Sequence, residues 1–120
     1  MVVPVSLAEF FNTMQEEPWF GRAAVDEFSV DSMGGNMIDY AIIYGNAEII
    51  KHLIEVGVNV NQPGEWGDTP LHTAISFEKY DLACYLLTAG ADGNKQNEYG
   101  LTAFELLKHK IFTRSDYDAK

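Results

Sequence analysis

The sequence has one cysteine, few basic residues and no long apolar run. Because Cys84 is the one cysteine, the chain cannot form an internal disulfide. Its 8 lysines and arginines against 18 aspartates and glutamates give a formal net charge of −10, which disfavours contact with nucleic acid and anionic lipid. The charge leaves two interpretations open, a basic protein partner or simple solubility.

Composition and the chain start favour a single cytoplasmic domain. Hydrophobic residues make up 47% of the 120 residues and charged residues 22%, as in an ordinary folded domain. No stretch is long and apolar enough to span a bilayer, and residues 1–6 lack the basic and apolar segments of a secretory signal. We therefore expect a cytoplasmic protein that binds neither nucleic acid nor membrane.

Several residues recur along the chain at a spacing of 33. The pairs are Gly67 and Gly100, Thr69 and Thr102, Ala41 and Ala74, Gly57 and Gly90, and Asn61 and Asn94. A fixed period of this length is the signature of a repeat protein in which small units stack on one another.

Each unit has the pattern of two short helices. In the central unit, Thr69 is a good N-cap, Pro70 suits a first helical turn, and Gly90 provides a positive-φ stop. The apolar positions expected to face the core are Leu71, Ala74, Ile75, Leu82, Ala83, Leu86 and Leu87 in this unit, and Ile38, Ala41, Ile42, Ile49, Ile50, Leu53 and Ile54 in the unit before it.

The tetrapeptide Thr69-Pro70-Leu71-His72, with residues 90–94 after it, resembles the ankyrin repeat, whose T-P-L-H-x-A signature has a 33-residue period. The resemblance implies an all-α fold: a short ankyrin-repeat solenoid of helix pairs joined by β-hairpin-like loops, with degenerate capping units at both ends. We expect a single domain over 1–120, formed by a helical N-terminal cap (1–34), two repeats (35–66 and 67–99) and a truncated C-terminal repeat (100–120). A free-standing chain with so few repeats also resembles compact bacterial ankyrin proteins.

The two ends depart from the repeat. The S-x-x-E pattern that begins at Ser6 predicts a helix over residues 7–17, stopped by Pro18, which is either a cap or a degenerate repeat. The last unit runs short, so its second helix is predicted to be missing or rudimentary, with Ile111 and Phe112 folding back over the end of the stack.

No set of residues predicts catalysis or a metal site. The resemblance implies a structural role for His72, which would bond to the neighbouring hairpin. His52 and His109 stand alone, without a cysteine or a second histidine at metal-ligand spacing. Cys84 lies in an apolar helical stretch with no base placed by spacing, and Gly34-Gly35 fits a turn before a helix rather than a phosphate loop. We expect no catalytic residue, no metal and no cofactor.

The resemblance implies partner contacts at the hairpin tips and on the exposed part of each first helix. Aromatic side chains at such places favour a binding surface, although scattered surface aromatics are common and Phe77 could belong to the core. Six acidic residues precede Gly34, among them Asp31, and they either extend an acidic surface or solvate the cap. The predicted partner-binding residues are Ile43, Tyr44, Glu65, Trp66, Asp68, Ser76, Phe77, Glu98, Tyr99, Leu101, His109 and Lys110.

These observations favour a protein-protein interaction module that is monomeric when free, has no chemistry of its own and binds a basic partner. The resemblance to small acidic bacterial proteins implies a narrower role, an immunity-type inhibitor that covers a basic toxin enzyme. Two other classes stay open: a structural module of a homo-oligomer, and an enzyme that uses Cys84 or His72.

Overall fold

The computed structural model describes residues 6–16, 26–44 and 46–118, with the side chains of the last helix described as far as Ile111. Within these ranges the regular structure is helical, apart from one antiparallel bridge between Val30 and Asn36. The helices are α1 (Leu7–Glu16), α2 (Met37–Tyr44), α3 (Ala47–Glu55), α4 (Pro70–Ser76), α5 (Tyr80–Thr88) and α6 (Ala103–Asp118), with a short 3-10 turn at Glu65–Gly67. None of these described helices combines the length and apolar character that a membrane crossing needs.

Five of the described helices begin at a side chain that accepts a hydrogen bond from the backbone of the first turn, and these side chains belong to Ser6, Asn36, Asn46, Thr69 and Thr102. Ser6 Oγ accepts from the N–H of Glu9 at 3.1 Å, and Asn46 Oδ1 caps α3 in the same way at 3.1 Å. Thr69 caps α4 in a reciprocal capping box with His72. The predicted caps at Ser6 and Thr69 are confirmed, and each stabilises its helix by about 1 kcal/mol.

The loops that precede α2, α4 and α6 share one hydrogen-bond pattern. The N–H groups of Asp31, Gly64 and Asn97 each donate to the carbonyl oxygen four residues further on, at 2.8, 2.9 and 2.9 Å. The left-handed glycines of these loops are Gly34 (φ 90°), Gly67 (φ 69°) and Gly100 (φ 74°). Both sets are spaced by 33 residues, so the structure confirms the period found in the sequence.

The first helices of successive units pack side by side. α1 contacts α2, α2 contacts α4, and α4 contacts α6, while α3 packs against α2 and α5 against α4. Ala41 and Ala74, at equivalent positions of α2 and α4, are fully buried, which lets neighbouring helices approach closely. The largest apolar side chains of the resulting core are Phe10, Met14, Met37, Ile38, Ile42, Ile49, Ile50, Leu53, Leu71, Ile75, Leu82 and Leu86. The predicted short solenoid of helix pairs is confirmed.

Two expectations about packing are wrong. Leu87 is 38% exposed, because it lies about 100° around α5 from its buried neighbour. In the last unit, Ile111 was expected to fold back over the stack, but it is 55% exposed. The chain does not fold back there because α6, which has neither glycine nor proline, continues unbroken past Ile111. Pro18 and the side chain of Phe112 lie outside the described residues.

Candidate functional site

A groove opens where the loops before α2 and α4 meet the exposed faces of those two helices. Its cavity has a volume of about 410 Å³. The residues that line it are Asp31, Ser32, Met33, Gly35, Asp39, Tyr40, Ile43, Tyr44, Glu65, Trp66, Asp68, Thr73, Ser76 and Phe77. The groove therefore combines residues from two successive units.

Four aromatic side chains line the groove. Tyr44, Trp66 and Phe77 are 47%, 52% and 53% exposed, so each leaves about half of its surface to solvent. Tyr40 lies nearly parallel to Tyr44, with 6.4 Å between ring centroids and 14° between ring planes. The exposure of Phe77 excludes it from the core. Rings left half exposed in this way provide area that a partner can bury.

Four carboxylates lie in the same groove, and the described residues that line it include no lysine, arginine or histidine. They are Asp31, Asp39, Glu65 and Asp68. Asp31 Oδ2 accepts the hydroxyl hydrogen of Tyr40 at 2.7 Å. Thr73 Oγ1 donates to Asp39 Oδ1 at 3.0 Å, and this contact joins α4 to α2. These carboxylates therefore lie beside the rings, and both Asp31 and Asp39 accept hydrogen bonds from neutral hydroxyl groups.

Burial removes water from the Asp39 carboxylate and raises its pKa from 3.8 to about 7. The hydrogen bond from Thr73 opposes this rise in pKa, and the charges of Asp31 and Asp68 add to it. Near neutral pH, Asp39 therefore carries a proton in a large share of the molecules. A cation that enters the groove can take the place of that proton.

The tips of the loops before α4 and α6 pack against each other beside the groove. The rings of Trp66 and Tyr99 have centroids 5.9 Å apart and planes tilted by 36°. The carbonyl oxygen of Trp66 accepts the N–H of Glu98 at 2.8 Å, and Asn97 Nδ2 donates to Asp68 Oδ1 at 2.9 Å. Trp66 has a left-handed backbone, with φ of 62°, so the neighbouring loop holds it in a conformation that few non-glycine residues adopt.

The groove brings together most of the predicted partner-binding positions. Those that line it are Ile43, Tyr44, Glu65, Trp66, Asp68, Ser76 and Phe77. Glu98 and Tyr99 adjoin it through their contacts with Trp66. Leu101 is half-buried and lies in the loop before α6, while His109 and Lys110 lie on α6 and do not line the groove. The binding role of all twelve residues stays a prediction.

The sequence predicted Ile43 and Tyr44 on the α2 side of the groove, but it did not single out Asp39, Tyr40 or Thr73 as binding residues. Asp39 carried a usable signal, because it stands 33 residues before His72, at the place where the motif has its histidine. An aspartate at the position where the motif has a histidine, which contacts the next unit, indicates a polar contact between Asp39 and that unit. Asp31 was assigned either to an acidic surface or to solvation of the cap, and it lines the groove. Tyr40 and Thr73 gave no such signal, since both types are common on helices.

His72 makes the structural bridge that the motif implies. Its Nδ1 accepts the backbone N–H of Thr69 at 3.1 Å, so the ring proton lies on Nε2. Nε2 donates to the carbonyl oxygen of Leu101 at 2.9 Å. The side chain is fully buried, and it links the start of α4 to the loop before α6.

The surroundings of two other reactive residues were not predicted. His52 has an acidic neighbour, since its Nε2 lies 3.3 Å from Glu27 Oε1, but this carboxylate is not the cysteine or second histidine that the sequence expectation concerned. Cys84 is exposed rather than packed among apolar side chains, because it lies on the solvent side of α5. Among the described residues, no group of three or more histidine, cysteine, aspartate or glutamate side chains is arranged to hold a metal ion.

Comparison with known proteins places these features in a family. Residues 19–97 match the family model described as ankyrin repeats (3 copies). Protein phosphatase 1 regulatory subunit 27 of Mus musculus is 42% identical over 60 residues, which cover 50% of this chain and 39% of that protein. Protein phosphatase 1 regulatory subunit 12A of Mus musculus is 32% identical over 93 residues, 78% of this chain and 9% of that protein. The 2-5A-dependent ribonuclease of Homo sapiens is 33% identical over 99 residues, 79% of this chain and 12% of that protein.

This chain spans less than half of the length of each of these relatives. They are mammalian proteins, so the comparisons do not confirm the expected bacterial type. The family model nevertheless covers more than half of the chain. The matched residues contain the helix pairs α2–α3 and α4–α5 and the buried His72 described above. The chain therefore belongs to the ankyrin-repeat family.

Proposed function

We propose that this chain is a protein-binding module that holds a partner with a basic surface in the groove between α2 and α4 and on the adjoining loop tips. One observation carries the proposal: half-exposed aromatic rings and four carboxylates converge in a single groove on a well-packed scaffold. Aromatic residues that become buried at the centre of an interface supply most of its binding energy. Acidic side chains around them select a basic partner and speed its approach.

The relatives support a role in binding rather than in chemistry. Two of them are by name regulatory subunits of a protein phosphatase. Because this chain covers only a small part of each, their partners do not transfer to it as a whole. We propose that what is shared is the use of ankyrin repeats to contact another protein.

A narrower form of the proposal is an inhibitor or immunity-type protein that covers the active site of a basic toxin enzyme. The net charge of −10 supports it, because opposite charges steer the two proteins together. Mixing the chain with a candidate basic nuclease is the direct test. We expect a complex and loss of nuclease activity, and the absence of a complex at micromolar concentrations would exclude this form while leaving the broader proposal intact.

The broader proposal is tested with single aromatic substitutions. Affinity capture from the host cell with the wild-type chain identifies the partner, and titration calorimetry then measures its affinity. We expect Trp66→Ala and Tyr99→Ala each to weaken binding by about 2 kcal/mol or more, because each removes a ring that the partner buries. The folds of both variants should stay intact, as judged by circular dichroism.

Phe28→Ala is the matched control. Phe28 is 59% exposed and does not line the groove, so its truncation should leave the affinity within experimental error. Equal losses at Phe28 and at Trp66 would contradict the proposed surface. Unfolding of the Trp66→Ala protein would show that Trp66 serves the fold instead.

Two alternatives have direct experiments. If the chain is a homo-oligomeric module, light scattering will give a multiple of 13.4 kDa, whereas our proposal expects the mass of one chain. If it is an enzyme that uses Cys84, the Cys84→Ser variant will lose an activity that the wild type has. The exposed thiol can be blocked with an alkylating reagent, and we expect partner binding to survive that treatment.

A further inference from the structure

Two carboxylates of the groove, Asp39 and Asp68, each use one oxygen to accept a hydrogen bond from another described residue. Asp39 Oδ1 and Asp68 Oδ1 accept hydrogen bonds from Thr73 and Asn97 at 3.0 and 2.9 Å. Within the described part of the chain, neither Oδ2 atom accepts a hydrogen bond. Both carboxylates line the same cavity, so a donor placed between them could bond to both.

Aromatic surface stands beside these acceptors. Tyr44, Trp66 and Phe77 line the cavity and are about half exposed. A cation over such a ring is attracted by its negative face, and the aliphatic stem of a long side chain packs against the ring body. The groove therefore fits a ligand group that is apolar along its length and cationic at its end.

The protonation of Asp39 gives independent support. Its raised pKa reflects lost hydration and two acidic neighbours, Asp31 and Asp68, with Glu65 as the fourth carboxylate of the cavity. Among the residues that the structure describes, the lining contains no basic side chain that would relieve that repulsion. A bound cation would provide the missing positive charge.

We propose that the groove is a receptor for one arginine side chain of the partner protein, with its stem among the rings of Tyr44, Trp66 and Phe77 and its guanidinium between Asp39 and Asp68. A guanidinium is favoured over an ammonium because it is planar, carries several donors and is more weakly hydrated. This inference rests on the proposed function and narrows it, since it names the group that the module recognises.

Selection from a random peptide library displayed on phage tests the inference without a known partner. The wild-type chain and the Asp39→Asn chain are used as separate baits. We expect peptides that bind only the wild type, each with an arginine beside apolar residues. In the strongest synthetic peptide, replacement of that arginine by citrulline keeps the shape and removes the charge, and we expect the affinity to fall about tenfold or more.

Glu55→Gln is the matched control on the protein. Glu55 is exposed at the end of α3 and does not line the groove, so this change removes one negative charge elsewhere. We expect the Arg-containing peptide to lose about tenfold or more in affinity with Asp39→Asn and less than about twofold with Glu55→Gln.

Three results would overturn the inference: equal binding of the arginine and citrulline peptides, equal effects of Asp39→Asn and Glu55→Gln, or no peptide that depends on the groove. The proposed function is judged by a different measurement, the effect of Trp66→Ala on the captured partner. If Trp66→Ala strongly weakens partner binding while the arginine and citrulline peptides bind equally well, the chain is a binding module that does not recognise arginine in this groove.

Discussion

At the scale of single residues, one repeat position carries two different side chains. His72 and Asp39 lie 33 residues apart, and each links its helix to the next unit. His72 bonds to the backbone of Leu101 and is fully buried, whereas Asp39 bonds to Thr73 and also borders the groove. The buried position serves the fold, and the position that opens to the groove is available for binding.

Replacement of His72 by alanine should destabilise the protein by about 2 to 3 kcal/mol. The change leaves the Thr69 N–H and the Leu101 carbonyl without the ring that now bonds to both, and buried groups without partners are costly. Urea denaturation measures the loss. His109→Ala, at an exposed position of α6, is the control and should change the free energy of unfolding by less than about 0.5 kcal/mol.

Asp39 should make the protein less stable as the pH rises from about 4 to about 7. Its pKa is higher in the folded protein than the ordinary value of 3.8, so the folded state holds the proton more tightly than the unfolded chain does. Stability from this group is fully present below the unfolded pKa and is lost as the pH rises through about 7. In Asp39→Asn, denaturation midpoints measured between pH 4 and pH 8 should lack this decline. A decline of the same size in the variant would assign it to other groups.

At the scale of elements, helix faces follow from packing as much as from sequence. Leu86 and Leu87 are neighbours of the same type in α5, yet Leu86 is fully buried and Leu87 is 38% exposed. Loops show a similar dependence on neighbours. A side chain at Gly67 would place its Cβ 2.9 Å from the backbone nitrogen of Glu98 in the next loop. Glycine is therefore required at this position for two reasons, the close approach of that loop and the left-handed backbone of Gly67 itself.

The two leucines of α5 provide a matched pair. Leu86→Ala should lower the free energy of unfolding by about 2 to 5 kcal/mol, because it opens a cavity in the core. Leu87→Ala removes the same atoms from a position that water already reaches, and it should cost less than about 1 kcal/mol. Thermal and urea denaturation of both proteins test this. Similar losses at the two positions would mean that Leu87 contributes to the core.

At the scale of the whole molecule, the acidic chain concentrates part of its charge in one groove. The net charge of −10 comes from residues spread over the chain, but the groove gathers four carboxylates, and its described lining residues include no basic side chain. Charges arranged in this way affect how fast a partner arrives more than how long it stays.

Association with a basic partner should therefore depend strongly on salt. We expect the association rate constant to fall about tenfold between low ionic strength and about 0.5 M salt, because the ions screen the long-range attraction. The dissociation rate constant should change much less. Surface plasmon resonance separates the two, and an association rate that is independent of salt would contradict electrostatic steering by this surface.

Features that depend on neighbouring residues along the chain could be predicted from the sequence. The caps at Ser6 and Thr69, the left-handed glycines and the 33-residue spacing of the helix pairs are local, so propensity and periodicity were enough to predict them. The loop tips could also be predicted, since Trp66 and Tyr99 occupy matching places in consecutive units.

Contacts between side chains of different units depend on how the units pack. Asp68 follows Asp39 by 29 residues and Asp31 by 37 residues, and the three share a groove because α2 and α4 pack side by side. The same packing buries Asp39 and shifts its pKa, and it sets which of two adjacent leucines in α5 faces water. These outcomes depend on distances between elements, and those distances are fixed by how the units stack rather than by the order of residues within one unit.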